Sequence, residues 1–358
     1  MTPAFKAYFR DHLRSKLKLL LCLLIVALVL TLIYSVGGQK DEYTYYDYDD
    51  VTQVTSVHYN AYLGLQVFIL IVCAYILPVL QFSLFKKRKN LDCAYALPIS
   101  RRAMGLVHYF VGLICLIVPF TCSYLLNFLL LLRYPEGFYY PPVLGFYFLS
   151  LLMGTILYTF FTFLFNQANS TGDGIWFMVL WSFLFFVVVT AMDFVYLEWL
   201  EFGKQDFYYN ESFLYSSDLG VCWVLLSEIQ WEYSGVVEKM QNASLAALWT
   251  DIAFIKWFVL WIVVGIGSAL GFVFTFGKPR AEKTQEVSES WFGFKLLIPL
   301  YAVATMITSG DLFVLVVLIV AFVGYIIYRK GFHLKKWDWI MLGLLIPVGI
   351  LSMIMYNW

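Results

Sequence analysis

Runs of about twenty apolar residues recur along the whole chain, and they constrain its fold more than any other feature. Apolar residues make up 61% of the 358 positions and charged residues only 13%, which is far from the composition of a soluble domain. A helix of about 20 residues, rising 1.5 Å per residue, spans a bilayer core about 30 Å thick. We therefore predict an all-α integral membrane protein, a polytopic bundle of about nine transmembrane helices.

The nine predicted spans are 18–36, 61–85, 103–132, 143–165, 175–197, 253–276, 293–309, 312–328 and 339–356. The count after residue 290 stays open between nine, eight and seven. The run 293–309 is short, contains Pro299, and meets the next run through only three residues.

Basic residues concentrate in alternate loops. With the N-terminus inside, the inner segments hold 18 of the 24 Lys and Arg residues and the outer segments hold 4. Basic residues in short loops stay on the cytoplasmic side, so we predict a multi-pass protein of the cell membrane with a cytoplasmic N-terminus. No small-residue cleavage site follows the first run, which is expected to remain as a span.

The first eighteen residues predict an amphipathic helix lying in the inner membrane interface. Phe5, Phe9 and Leu13 recur every four residues, and basic residues occupy another face. Such a helix is held by apolar burial and anionic head groups. The alternative is a frayed tail that serves only as a positive topology signal.

Two outer segments differ in character. Residues 37–60 are acidic and rich in tyrosine, which suits either attraction of a cationic substrate or a solvated loop with tyrosines at head-group level. Residues 198–252 combine an acidic character with an apolar cluster that includes Trp223, Leu225 and Leu226. We predict that this element is ordered and forms an extracellular gate from short interfacial or re-entrant helices.

Several function classes lack their motifs. Nucleotide-binding, zinc-protease, serine-hydrolase and paired-cysteine patterns are missing from the sequence, so no catalytic residue is assigned and the chain is not expected to be an enzyme. The four histidines fall in different segments, and no metal site is predicted. Midplane charges that an ion-coupled carrier needs are also missing. Gln66, Gln81 and Asn127 are interpreted as interhelical hydrogen-bond groups.

The loop 86–102 carries the most specific pattern. It joins a basic stretch to an apolar ridge formed by Leu91, Tyr95, Pro98 and Ile99, and Ser100 is placed to cap the next helix. A ridge of this kind suits docking into a groove on a soluble partner. The alternative is a positive-inside anchor with a proline turn.

The same loop resembles the signature loop of membrane subunits of type-2 ABC exporters. The matching residues are Leu97, Pro98, Ile99, Ser100 and Arg101, with Asp92 and Tyr95 placed as in the bacterial Ytr-like subfamily. The resemblance implies that these residues and Leu91 couple the chain to a separate ATPase, which holds the ATP and Mg²⁺. It also implies a bacterial plasma membrane and a dimer with a second permease copy or homologue.

The implied domain organisation covers most of the chain. An interfacial helix (1–18) precedes a six-span permease core (19–276), which contains the coupling loop 86–102 and the outer element 198–252; a cytoplasmic linker (277–291) follows. Residues 292–358 depart from this pattern as additional transmembrane helices that could bind a second subunit or a lipid.

The function implied is ATP-driven export of a hydrophobic or amphipathic cargo, such as a peptide or lipid-like molecule. The chain itself is expected to hold no cofactor, to contact membrane lipids, and, with a net charge of zero, not to bind nucleic acid. The alternative is a non-ABC membrane protein, such as a lipid-modifying enzyme or an antimicrobial-peptide immunity or sensor protein.

Overall fold

The structure is a computed structural model that describes residues 3–36, 40–46, 53–59, 63–87, 96–132, 140–199, 252–276, 286–309 and 311–357. Nine α-helices and one β-hairpin occur in these ranges. The helices are α1 (Pro3–Val36), α2 (Leu63–Phe82), α3 (Arg101–Leu131), α4 (Tyr140–Gln167), α5 (Thr171–Trp199), α6 (Ile252–Thr275), α7 (Phe294–Ser309), α8 (Asp311–Arg329) and α9 (Lys336–Asn357).

The predicted helical class is confirmed. Each of the nine apolar runs coincides with one helix, and six helices in the described ranges are long and apolar enough to cross a membrane. Large apolar side chains such as Ile319, Val320 and Ile350 are exposed along the helices, as lipid-facing surfaces require. The chain is therefore built as a multi-pass membrane protein. Helices α7 and α8 are shorter and α5 is not among the six, so the count of nine spans stays a prediction.

A β-hairpin that the sequence analysis did not predict lies between α1 and α2. Strands β1 (Lys40–Tyr46) and β2 (Gln53–Tyr59) pair in antiparallel fashion, with Lys40 opposite Tyr59 and Tyr46 opposite Gln53. Residues 40–46 and 53–59 of the acidic, tyrosine-rich segment 37–60 thus have regular backbone pairing.

Helix α1 differs from the prediction of a separate interfacial helix. It runs without a break from Pro3 to Val36, so Phe5, Phe9 and Leu13 belong to the same helix as the first span. These three side chains are partly buried, and His12 between them is buried. The protein covers part of this apolar stripe, because α1 packs along α3. The location of the stripe in the membrane interface stays a prediction.

The described residues form two compact units. The first comprises α1, α2 as far as Gln81, α3, the part of α4 up to Thr162, and α6. Within it α1 and α6 both pack on α3. Close approach of α3 and α4 depends on Gly112, because a Cβ at this position would overlap the Tyr158 hydroxyl.

The second unit contains residues 83–87, the end of α4 from Phe163, α5, and α7 to α9. Helix α7 packs on α5 around Phe177 and Leu297, and α7, α8 and α9 pack on one another around Met306, Tyr325 and Leu345. The additional C-terminal helices therefore have a hydrophobic core of their own.

Candidate coupling site and its supports

The loop between α2 and α3 ends in an exposed turn. Leu97 is 40% exposed, Pro98 is exposed and Ile99 is partly buried. Arg101 begins α3, and its side chain is exposed. Two apolar side chains and a proline are thus presented on a rigid helix start.

Ser100 is the N-cap of α3, as the sequence analysis predicted. Its Oγ accepts a hydrogen bond from the Ala103 backbone N–H at 3.3 Å, and its own backbone is extended. The Ser100 carbonyl accepts the first helical bond, from Met104 N–H at 3.0 Å. A cap of this type satisfies one of the free N–H groups at a helix start, so it fixes the direction in which the turn enters α3.

The other predicted site residues lie outside the described residues. These are Leu91, Asp92 and Tyr95 of the loop, and Trp223, Leu225 and Leu226 of the outer gate. Their roles stay predictions.

Lys86 is the first basic residue of the loop 86–102, and the structure separates it from the exposed charges of that loop. Lys86 closes a short 3₁₀ turn after α2 and is only 8% exposed. Its ammonium donates to the carbonyls of Asn166, at 3.3 Å, and of Ala168, and it interacts electrostatically with Asp173. Carbonyls at a helix C-terminus attract cations, so Lys86 caps α4. Its neighbour Lys87 is exposed.

A buried polar cluster joins α1, α2 and α3 in the first unit. The His12 and His108 rings lie 3.8 Å apart between centroids, and His12 Nε2 lies 3.2 Å from Gln81 Oε1. His108 Nδ1 lies 3.0 Å from the Gln81 carbonyl oxygen, and its Nε2 lies 3.0 Å from the Tyr8 hydroxyl. Tyr8 also stacks on His12.

The acceptors in this cluster assign the tautomer of His108. Because a carbonyl only accepts, Nδ1 carries the hydrogen and donates to Gln81; Nε2 is then the acceptor for the Tyr8 hydroxyl. The Gln81 carbonyl belongs to the last turn of α2, where helical partners are missing. His108 therefore caps α2 from α3 and orients the Tyr8 hydroxyl of α1. Both ring nitrogens are engaged, so His108 offers no lone pair to a metal ion.

The sequence analysis treated the histidines as scattered, and for His12 and His108 this was wrong. Gln81, by contrast, makes the interhelical contact that was predicted for it. The positions of these residues along the apolar runs could have indicated their contact. Gln81 lies near the end of the second run, His108 near the start of the third, and His12 before the first. All three positions lie on the side of the membrane where those runs meet the basic segments.

Hydrogen bonds in the second unit bring several inter-helix segments to one side. Lys86 contacts the end of α4, and Ser288 Oγ donates to the Gln167 carbonyl at 3.3 Å. Tyr328 donates to the Ser288 carbonyl at 2.8 Å, and Arg329 pairs with Glu289 at 3.4 Å. The four segments around residues 86, 167, 288 and 329 must therefore emerge on the same face.

Comparisons with family models, with curated proteins and with solved structures gave no match to this chain.

Proposed function

We propose that the chain is the membrane subunit of an ATP-driven ABC exporter, which uses a separate ATPase that binds ATP and Mg²⁺. The observation that carries the proposal is the exposed turn from Leu97 to Ser100, which is rigidly capped onto α3 and carries the sequence that resembles the exporter loop. An apolar turn exposed at the cytoplasmic face suits docking in a groove of a soluble partner.

The hydrogen bonds that join the helices next to the turn suit the transmission of motion from an ATPase to the membrane helices. The flanking helices α2 and α3 are joined by the His108 to Gln81 hydrogen bond, and α1 is joined to both through Tyr8 and His12. Force from ATPase closure on the loop would then move α1, α2 and α3 together, because the cluster holds their ends in one arrangement. Motion of this kind would open a cavity shared with a second permease copy.

The sidedness of the loop agrees with this role. The segments that the hydrogen bonds of the second unit bring together are those that the sequence assigns to the inside. In the proposal this face is the cytoplasmic side of a bacterial plasma membrane, and a hydrophobic or amphipathic cargo leaves through the opposite face.

Co-purification tests the proposal directly. Ile99→Asp and Leu97→Asp place a charge on the apolar turn. A buried apolar anchor typically contributes about 2 kcal/mol or more to binding, so each variant should recover roughly thirtyfold less ATPase from native membranes. Lys87→Gln, a change at an exposed position before the turn, is the matched control and should recover the wild-type amount.

Membrane insertion and elution of the Asp variants are measured in parallel and should match the wild type, because Leu97 and Ile99 are not core residues. If the Asp variants retain full ATPase recovery, or if the wild-type protein never brings an ATPase with it, the exporter proposal is wrong. The turn is then a topology anchor of a membrane protein that works without an ATPase.

A further inference from the structure

A cavity of about 420 Å³ opens in the second unit, where α5, the segment before α7, and the end of α8 meet. Its volume lies in the range of small-molecule sites. The lining residues are Ser170, Asp173, Glu286, Val287, Ser288, Phe294, Ile298, Gly324, Ile327, Tyr328 and Lys330. None of them belongs to the coupling turn or to the histidine cluster.

Three charged side chains of both signs line the cavity. Asp173 and Glu286 contribute carboxylates, and Lys330 contributes an ammonium. In the described part of the chain none of these three side chains forms an ion pair within 4 Å. Ser170 caps α5 by accepting from the Asp173 N–H at 3.1 Å, so the Asp173 backbone is fixed. The Asp173 carboxylate lines the cavity and also interacts electrostatically with the Lys86 ammonium.

The lining also includes apolar side chains. Phe294 and Ile298 come from α7 and Ile327 from α8; Ile327 is 71% exposed. Val323, Val320 and Val316 are exposed and follow Ile327 at spacings of four, three and four residues, so they continue this surface along α8. A molecule with a polar end in the cavity can thus extend an apolar tail along the helix.

A group of tryptophan and lysine residues lies close in sequence to the residues that line the cavity, and it indicates their depth in the membrane. The Lys295 ammonium lies 4.2 Å from the centre of the Trp291 ring and 5.2 Å from that of Trp337. Phe332 and Trp339 nearby in sequence are exposed. Tryptophan and lysine concentrate at the boundary between head groups and acyl chains, which is the depth expected for the segment 286–295 that contributes Glu286 and Phe294 to the cavity.

Lys330 has a backbone conformation that its side chain does not favour. Its φ is +56°, in the left-handed region where helices usually end on glycine. The Gly331 N–H donates to the Ile326 carbonyl at 3.1 Å and closes the turn. A non-glycine residue here costs roughly 1 kcal/mol, so glycine at this position would relieve backbone strain.

We propose that this cavity binds a zwitterionic aminophospholipid, whose head group carries a phosphate and a primary ammonium. Lys330 contacts the phosphate, Asp173 and Glu286 accept hydrogen bonds from the ammonium, and an acyl chain lies over Ile298 and Ile327. The charges of both signs in the cavity and the exposed apolar surface of α8 complement this molecule. A purely anionic lipid would meet two carboxylates, and a quaternary ammonium would have no N–H to donate. The proposal does not depend on the exporter function.

Native mass spectrometry of the detergent-solubilised full chain tests the site. The protein is titrated in parallel with phosphatidylethanolamine, phosphatidylcholine and phosphatidylglycerol of equal chain length. We expect phosphatidylethanolamine to bind with one site of higher affinity than the other two lipids. Free phosphoethanolamine at the same concentration should not displace it, since the apolar end contributes to binding of the lipid.

Three variants and one control locate the site. Asp173→Asn, Glu286→Gln and Lys330→Gly should each weaken phosphatidylethanolamine binding about fivefold, as loss of one charge contact near a membrane surface does. Asp11→Asn removes a carboxylate from an exposed position on α1 and should leave binding unchanged. Lys330→Gly should raise the melting temperature or leave it unchanged, which separates lost binding from misfolding.

Equal affinity for the three lipids would overturn the proposal, because it indicates annular lipid without a site. Wild-type binding by all three variants would overturn it as well. Displacement by free phosphoethanolamine would show that the head group alone is the ligand and would reject the lipid.

Discussion

At the scale of single residues, one buried ammonium and one buried imidazole each stabilise the C-terminal end of a helix. Among the described residues, none near that end in the sequence provides such a cap. Lys86 caps the C-terminal end of α4, and His108 caps that of α2. Unpaired carbonyls in a low-dielectric surrounding are costly, so these contacts are structural requirements in addition to any functional role.

The Lys86 contact leads to a residue-scale prediction. Lys86→Gln shortens the side chain and removes the charge, so the carbonyls of Asn166 and Ala168 lose their donor. Leaving such buried acceptors unsatisfied costs about 1–3 kcal/mol, and the melting temperature of the solubilised protein should fall by a few degrees. Lys87→Gln, at the exposed next position, should change stability by less than about 0.5 kcal/mol.

The comparison of these two neighbours is decisive because the sequence alone treats them as equivalent members of a basic run. Equal melting temperatures for the two variants would show that Lys86 is a peripheral charge after all. The same measurement repeated in high salt should leave the Lys86 effect in place, since buried contacts are screened little.

What the sequence could and could not predict at this scale follows from the range of the interactions. The Ser100 cap lies three residues from its donor and was predicted from local pattern alone. The contact between His12 and Gln81 spans 69 residues of sequence, and no local pattern encodes it. The contacts of Lys86 could not be predicted for the same reason, because Asn166 and Ala168 lie about 80 residues away in the sequence.

At the scale of elements, the nine apolar runs predicted the positions of the nine helices within a few residues, apart from α1. The start of α1 differed because hydropathy identifies the apolar core of a span and ignores polar turns that continue the same helix. The hairpin was not predicted, because the acidic residues of the segment 37–60 favour a solvated loop. The β-branched and aromatic residues of β1 and β2 favour strands instead.

The docking of α1 gives an element-scale prediction. Tyr8→Phe and His108→Phe each remove one side of the same hydrogen bond, so their effects on stability should not add. A double-mutant cycle on melting or denaturant stability should give a coupling energy of about 0.5–3 kcal/mol. Pairing His108→Phe with Tyr301→Phe, whose hydroxyl instead donates to the Leu180 carbonyl, is the control and should be additive. Additivity of the Tyr8 cycle itself would contradict the contact.

At the scale of the whole molecule, independent observations agree on which segments share a face. Counting basic residues assigned the segments around 86, 167, 288 and 329 to one side, although the segment around 167 contains no Lys or Arg. Hydrogen bonds join the same segments. The bidentate pair of Arg329 with the buried Asp338, at 2.8 and 2.9 Å, also holds the turn between α8 and α9 at that face. Charge pattern and packing thus agree that these four segments share a face.

The ends of α7 and α8 decide the number of spans. Helix α7 has 16 residues, about 24 Å of helix, against a bilayer core of about 30 Å. The end of α8 lies on the same face as the start of α7, and two arrangements satisfy this. Both helices cross the membrane fully, or together they form a re-entrant hairpin. The two arrangements differ only in the exposure of the connection at Gly310.

Cysteine labelling with a membrane-impermeant reagent, in a background without native cysteines, tests the topology. Asp49→Cys and Gly310→Cys should label in intact cells, because nine spans place both on the outside. Asn90→Cys and His333→Cys should label only after permeabilisation, because the basic segments face the cytoplasm. Labelling of Asn90→Cys in intact cells would reverse the orientation. If Gly310→Cys stays unlabelled in both conditions while Asp49→Cys reacts, the connection lies within the membrane, α7 and α8 form a re-entrant hairpin, and the chain has seven spans.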